Sequence, residues 1–104
     1  MTYKAKRVSI VTEKLNEREI ERIVEAAGAT GYTVFEGSGK GRHGVKTRDR
    51  PSMVEGFSLV KIEVIVGDRE TAEAIAERVA ATYFRNYAGI VYIDDVEVLR
   101  GEKF

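Results

Sequence analysis

The order in which extended and helical apolar patterns follow one another is the feature that most limits how this chain can fold. Four runs rich in β-branched and aromatic residues, at 7–11, 32–36, 59–66 and 90–93, are typical of strands. Two segments between them repeat apolar residues every three or four positions, as the buried face of a helix does. These residues are Ile20, Ile23, Val24 and Ala27, then Ala72, Ile75, Ala76, Val79 and Tyr83. A strand–helix–strand unit that occurs twice predicts an α+β, ferredoxin-like βαββαβ fold, with both helices on one face of an antiparallel sheet.

The ends of the predicted helices carry residues that favour capping. Asn16 is expected to cap the first helix, with Glu19 in the capping-box position, and Gly28 is expected to end it. Asp68 is expected to cap the second helix. Residues 96–99 either continue the last strand or form a short extension.

Length and composition indicate one small domain without disulfides. The 104 residues include 17 Lys and Arg, 17 Asp and Glu, and no Cys, which excludes disulfides and thiolate chemistry. The balanced charge argues against a protein that coats nucleic acid. No segment resembles a signal peptide or a membrane span, so a cytoplasmic location is expected.

A long glycine-rich connection separates the second and third predicted strands. Residues 37–56 contain half of the ten glycines, the only proline, and five cations against two anions. Connections of this length in small domains usually bind a ligand or lack fixed structure. Both can hold for this chain, because a flexible loop at about 37–57 can become ordered when its ligand binds. Successive glycines beside Lys40 and Arg42 favour a concave anion site, with a solvated hairpin tip as the alternative.

The sequence offers little support for catalysis or for a metal site. His43 is the only histidine, and no nucleophile has a base at a recognisable spacing. The first and third strands also lack the aromatic residues with which an RNA-recognition module stacks bases. We therefore expect a protein that is not an enzyme, with no catalytic residues and no metal ligands.

Several motifs, in their order and spacing, resemble the PII signalling superfamily. They are Gly31-Tyr32-Thr33-Val34 at the second strand, Gly39-Lys40-Gly41-Arg42 at the start of the loop, and Val60-Lys61-Ile62-Glu63-Val64 on the third strand. Thr12-Glu13-Lys14 and the segment from Tyr83 to Ile90 look like the branch tied to inorganic carbon, the SbtB and carboxysome-associated PII proteins. The similarity covers nearly the whole chain, so residues 1–104 are expected to form a single PII-like domain.

The resemblance implies a homotrimer with a nucleotide in each cleft between neighbouring subunits and a long loop that responds to the effector. Adenine would lie near the second and third strands, at Thr33 and the stretch 64–66, which includes Val64 and Ile65. Phosphates would be held by Gly39, Lys40, Gly41 and Arg42. The cleft would be closed by Tyr87, Ala88 and Gly89, with Arg100 or Lys103 reaching phosphate or ribose.

Departures from the pattern of the nitrogen-sensing PII proteins reduce the number of nucleotides that are expected as ligands. The loop contains no tyrosine for modification, and Ala88-Gly89 stands where those proteins place Gly-Lys, which favours ADP or AMP over ATP. The carbon-linked branch implies bicarbonate sensing and regulation of a bicarbonate transporter or carboxysome-associated protein, with membrane contact only through that partner. Two alternatives are a weak nucleotide hydrolase in the same cleft and an interaction module that uses its basic loop without a small ligand.

Overall fold

The computed structural model describes residues 1–38 and 58–99, which form a four-stranded sheet and two helices. The elements are β1 (Tyr3–Glu13), a short 3-10 turn (Lys14–Asn16), α1 (Glu17–Ala26), β2 (Thr33–Ser38), β3 (Ser58–Val66), α2 (Arg69–Tyr83) and β4 (Gly89–Val98). The strand order is β2-β3-β1-β4 and every neighbouring pair is antiparallel. The predicted ferredoxin-like fold is confirmed.

The sheet has one covered face and one open face. Ile10 on β1 pairs with Ile62 on β3 and Val91 on β4, and this row lies under the two helices. The core also contains Val8, Val64, Ile20, Val24, Ile75 and Val79, all fully buried. Arg7 and Val11 lie on the other face, as the alternation along β1 predicts.

Strands β1 and β4 are longer than the apolar pattern indicates. They pair continuously from Tyr3 opposite Val98 to Thr12 opposite Gly89. Backbone pairing therefore extends both strands through polar residues that periodicity alone does not mark as extended. Residues 96–98 continue β4 and are not a separate extension.

Two of the predicted helix ends are confirmed. Gly28 has a φ of +96°, and the amides of Gly28 and Ala29 donate to the carbonyls of Glu25 and Val24, which is the Schellman arrangement. The Asp68 side chain accepts from the Thr71 amide at 3.0 Å, and this hydrogen bond is the main reason the pKa of Asp68 is lowered.

Asn16 is the N-cap residue of α1, as predicted, but the expected capping hydrogen bond from its side chain is absent. The 3-10 turn leaves Asn16 in a helical conformation, and its side chain makes no capping hydrogen bond. Its Nδ2 group donates instead to Thr12 Oγ1 at 3.3 Å, in a buried position. Glu19 is likewise not part of a capping box, because Asn16 makes no reciprocal bond and Glu19 Oε1 accepts from the Tyr83 hydroxyl at 3.1 Å.

Neither of the described helices is long and apolar enough to cross a lipid bilayer.

Candidate functional site

The base of the long loop lies where β2 ends and β3 begins. Ser38 and Ser58 are paired there, and a shallow cavity of about 230 Å³ lies beside them. Its lining includes Phe35 and Lys61, whose Nζ is 5.8 Å from the Phe35 ring centroid, a cation–π distance. The predicted phosphate residues Gly39, Lys40, Gly41 and Arg42 lie outside the described residues, as do Arg100 and Lys103.

The predicted adenine contacts fall on different faces of the sheet. Thr33 is exposed at the start of β2, opposite Glu63 on the open face. Ile65 is half-buried on that same face, opposite Arg7. Val64 is fully buried in the core, so only its main chain is available to a ligand on the open face.

The turn before β4 is held by the end of β1. The Ala88 amide donates to Glu13 Oε2 at 3.0 Å, and the Thr12 hydroxyl donates to the Ala88 carbonyl at 3.2 Å. Glu13 is 2% exposed and Thr12 is fully buried, and Asn16 Nδ2 donates to Thr12 Oγ1. Charge-assisted and buried hydrogen bonds of this kind fix a turn more firmly than exposed ones.

Glycine is required at position 89 by a close approach. A Cβ atom there would lie 2.4 Å from Cε1 of the Phe84 ring and 2.7 Å from the Val11 carbonyl oxygen. The Tyr87 amide donates to the Tyr83 carbonyl at 3.0 Å, and the Tyr87 side chain packs against the core. The turn therefore packs against both helix α2 and strand β1.

The loop base and the turn lie at the same end of the sheet but at opposite edges. Gly89, Thr12, Val60 and Glu36 form one row across β4, β1, β3 and β2. With strands about 4.8 Å apart, the two edges are separated by roughly 14 Å. Within one subunit they flank the sheet and do not form a common cleft.

Charged residues organise the centre of the open face. Arg7 makes two hydrogen bonds to Asp94, at 3.1 and 2.7 Å, and lies 3.6 Å from Glu63. The hydrogen bond from Arg7 is the main reason the pKa of Asp94 is lowered. Beneath this layer the Ser9 hydroxyl is buried and has no hydrogen-bond partner among residues 1–38 and 58–99.

Large apolar side chains surround these charges. They are Ile90, Tyr92 and Phe35, which are 56%, 42% and 48% exposed in the single chain. A sheet face that combines exposed apolar groups with organised ion pairs is typical of a protein–protein interface.

The Arg7–Asp94 pair predicts a specific pH dependence. The pKa of Asp94 is lower in the folded chain than in the unfolded chain. The ionised Asp94 carboxylate therefore stabilises the fold at any pH above its ordinary, unfolded pKa, and this stabilisation is lost as the pH falls through the folded pKa. Arg7→Gln is expected to return the pKa of Asp94 towards its ordinary value, measured by NMR titration. Lys6→Gln is the control, because Lys6 pairs with Asp95 and should move only the pKa of Asp95. An Asp94 pKa that stays low in Arg7→Gln would contradict this assignment.

Sequence reasoning missed the supporting role of Glu13 and Phe84. Glu13 stands in one of the family motifs, but nothing in the sequence marks it as part of the site, and only the pairing of β1 with β4 brings it beside Ala88. Lys14, the next residue, forms ion pairs with Glu36 and Glu17, so the end of β1 also contacts the loop base. In the part of the chain that the structure describes, no three acidic or histidine side chains could share a metal ion.

Comparisons with known proteins agree with this architecture. The family model of nitrogen regulatory protein P-II matches residues 5–103. A Thermus thermophilus protein described as a PII-like signalling protein is 34% identical, with a TM-score of 0.78 over 99% of this chain and 97% of that chain. CPII of Thiomonas intermedia K12, solved with ADP, AMP and bicarbonate, is 27% identical, with a TM-score of 0.79 over 100% of this chain and 96% of that chain.

A second structure of CPII, bound to ADP and bicarbonate, has a TM-score of 0.78 at 27% identity and covers 100% of this chain and 97% of that chain. Proteins of the P-II family are signalling proteins, generally without enzymatic activity, and are typically homotrimers. Since the family model spans nearly the whole chain and a relative is 34% identical along its length, this protein belongs to the nitrogen regulatory protein P-II family and is a PII-like signalling protein.

Proposed function

We propose that this protein is a homotrimeric sensor that binds an adenine nucleotide, with ADP or AMP favoured, and responds to bicarbonate. The observation that carries the proposal is that CPII, 27% identical over the whole chain, has been solved with ADP, AMP and bicarbonate. The sensor would regulate inorganic-carbon uptake or a carboxysome-linked partner, as the resemblance to the carbon-linked branch implies.

The positions of the loop base and the turn support a site between subunits. They occupy the same end of the sheet at opposite edges, roughly 14 Å apart, so the loop base of one chain and the turn of a neighbouring chain can line one nucleotide site when the chains pack together. The open face, with Ile90 and Tyr92 exposed, supplies a surface on which such chains can pack.

Each subunit would then contribute two groups of residues to two different clefts. One group would be Thr33, Ile65 and the main chain of Val64 near adenine, with Gly39, Lys40, Gly41 and Arg42 on the phosphates. The other group, from the neighbouring chain, would be Tyr87, Ala88 and Gly89, with Arg100 or Lys103 beside them. Residues 1–104 act in this proposal as one domain.

Ligand binding would act on the loop by shifting its population of conformations. Phosphate oxygens held at the loop base would favour one arrangement of residues 37–57 over the others. A transporter or carboxysome-associated protein would then bind one state of the loop better than the other. The sensor itself would stay in the cytoplasm and would meet a membrane only through its partner.

Calorimetric titration of the purified protein with AMP, ADP, ATP and cyclic AMP, each with and without bicarbonate, tests this function. We expect micromolar binding of AMP or ADP and a change in that affinity when bicarbonate is present, since linked sites change each other's affinity reciprocally. Absence of binding by all four nucleotides would refute the sensor function. Strongly salt-dependent binding to an acidic protein without a nucleotide effect would support the interaction module instead. Phosphate release from ATP would support the hydrolase.

Arg42→Ala is expected to weaken ADP binding by about 1 to 3 kcal/mol, or roughly fivefold to 150-fold, because it removes a charge-assisted bond to phosphate. Arg69→Ala is the matched control, since Arg69 is exposed on α2 and pairs with Glu73 one turn further along that helix. Calorimetry measures both variants against the wild type. Equal ADP affinity in Arg42→Ala and wild-type protein would remove Arg42 from the site.

A further inference from the structure

Both polar groups of the Ala88 main chain are already occupied by side chains of β1. The Ala88 amide donates to Glu13 Oε2 and the Ala88 carbonyl accepts from Thr12 Oγ1, at 3.0 and 3.2 Å. Both side chains are almost completely shielded from solvent, so these bonds do not compete with bulk water. The Ala88 amide is therefore not available to a ligand in this conformation.

The carboxylate that occupies this amide also places a negative charge against the inner side of the turn. An incoming phosphate that used the Ala88 amide would have to displace Glu13, and one that used the rest of the turn would lie near its charge. Like charges repel each other appreciably when the medium between them is partly protein. This repulsion grows with each phosphate added to the nucleotide.

We propose that Glu13 is a specificity-determining residue that sets how many phosphates the bound nucleotide carries. It positions the Tyr87–Ala88–Gly89 turn through the Ala88 amide, and its charge disfavours ATP relative to AMP. The inference rests on the proposed function, in which this turn closes the nucleotide cleft. This explanation of the preference for AMP over ATP differs from the absence of a lysine in the turn, because it assigns the preference to a residue on β1.

The test compares the ratio of the ATP and AMP dissociation constants in two variants of the β1 end and a control. Glu13→Gln keeps an acceptor for the Ala88 amide and removes the charge, so we expect the ratio to shift about fivefold or more towards ATP. Thr12→Val removes the bond to the Ala88 carbonyl and keeps the charge. This variant is expected to weaken the binding of ATP and of AMP equally, so the ratio of their dissociation constants stays unchanged. Glu73→Gln, on the exposed side of α2, is expected to change neither constant.

The outcomes separate this inference from the proposed function. If wild-type protein binds neither nucleotide, the proposed function fails. If it binds them and Glu13→Gln leaves the ratio unchanged, the role of Glu13 alone is refuted. A ratio that shifts in Thr12→Val would also overturn it, because the preference would then follow the rigidity of the turn. Thr12→Val can therefore still refute the inference if Glu13→Gln does not fold.

Discussion

Ile90→Asp is expected to convert the proposed homotrimer into single chains and to abolish nucleotide binding with it. Ile90 lies on the open face of the sheet opposite Val11, and 56% of its surface is exposed in the single chain. Burying an isoleucine side chain contributes about 1.5 to 3 kcal/mol, and burying an unpaired carboxylate costs several kcal/mol more. A symmetric trimer contains the substitution three times, so the effects accumulate.

Sedimentation velocity measures the assembly, circular dichroism measures the fold, and calorimetry measures ADP binding by the same samples. Leu99→Asp is the control, because Leu99 is 73% exposed but follows β4 on the helix side of the alternation. The Ile90 variant should remain folded, since Ile90 is not part of the buried core. A variant that stays assembled would show that the open face is not the interface. Single chains that still bind ADP normally would show that the site does not need two subunits.

The covered face of the sheet could be predicted from the sequence because burial there follows from local periodicity. Val8, Ile10, Ile62 and Val64 occupy every second position of their strands, and the apolar sides of both helices repeat at helical spacing, so these two patterns predict which face is covered. The ends of the elements are less predictable. Asn16 has the right residue type for a cap, but the 3-10 turn before α1 redirects its side chain to Thr12.

The candidate site was predictable only where motifs are contiguous in the sequence. Gly89 stands in a recognisable segment, but the reason for its glycine is a ring that follows α2 and a carbonyl from β1, which meet only in the folded chain. Glu13 and Ala88 are 75 residues apart and are joined by one hydrogen bond. The main chain of the turn is therefore fixed by contacts that no periodicity encodes, whereas the assignment of ligand contacts to Thr33, Arg42 and Tyr87 stays a prediction.

Gly89→Val is expected to lower the free energy of unfolding by about 3 kcal/mol, in line with the cost of overpacking a filled site. The first atom of any side chain at this position would lie 2.7 Å from the Val11 carbonyl oxygen, which belongs to an interior strand and cannot move without disturbing its pairing. The Phe84 ring, 2.4 Å away, can rotate only by leaving its contacts with the core. Chemical denaturation measures the loss.

Gly67→Ala provides the matched control, because a Cβ at residue 67 meets nothing within 4 Å and the change should stay within about 0.5 kcal/mol. A double variant, Gly89→Ala with Phe84→Leu, separates the two contacts at residue 89. If the ring alone were the obstacle, the smaller leucine would restore stability. If the carbonyl dominates, as the backbone position of Val11 requires, the double variant stays destabilised. Wild-type stability in Gly89→Val would mean that the turn can leave β1. The hydrogen bond that Ala88 donates to Glu13 and the one that it accepts from Thr12 would then not fix the position of the turn.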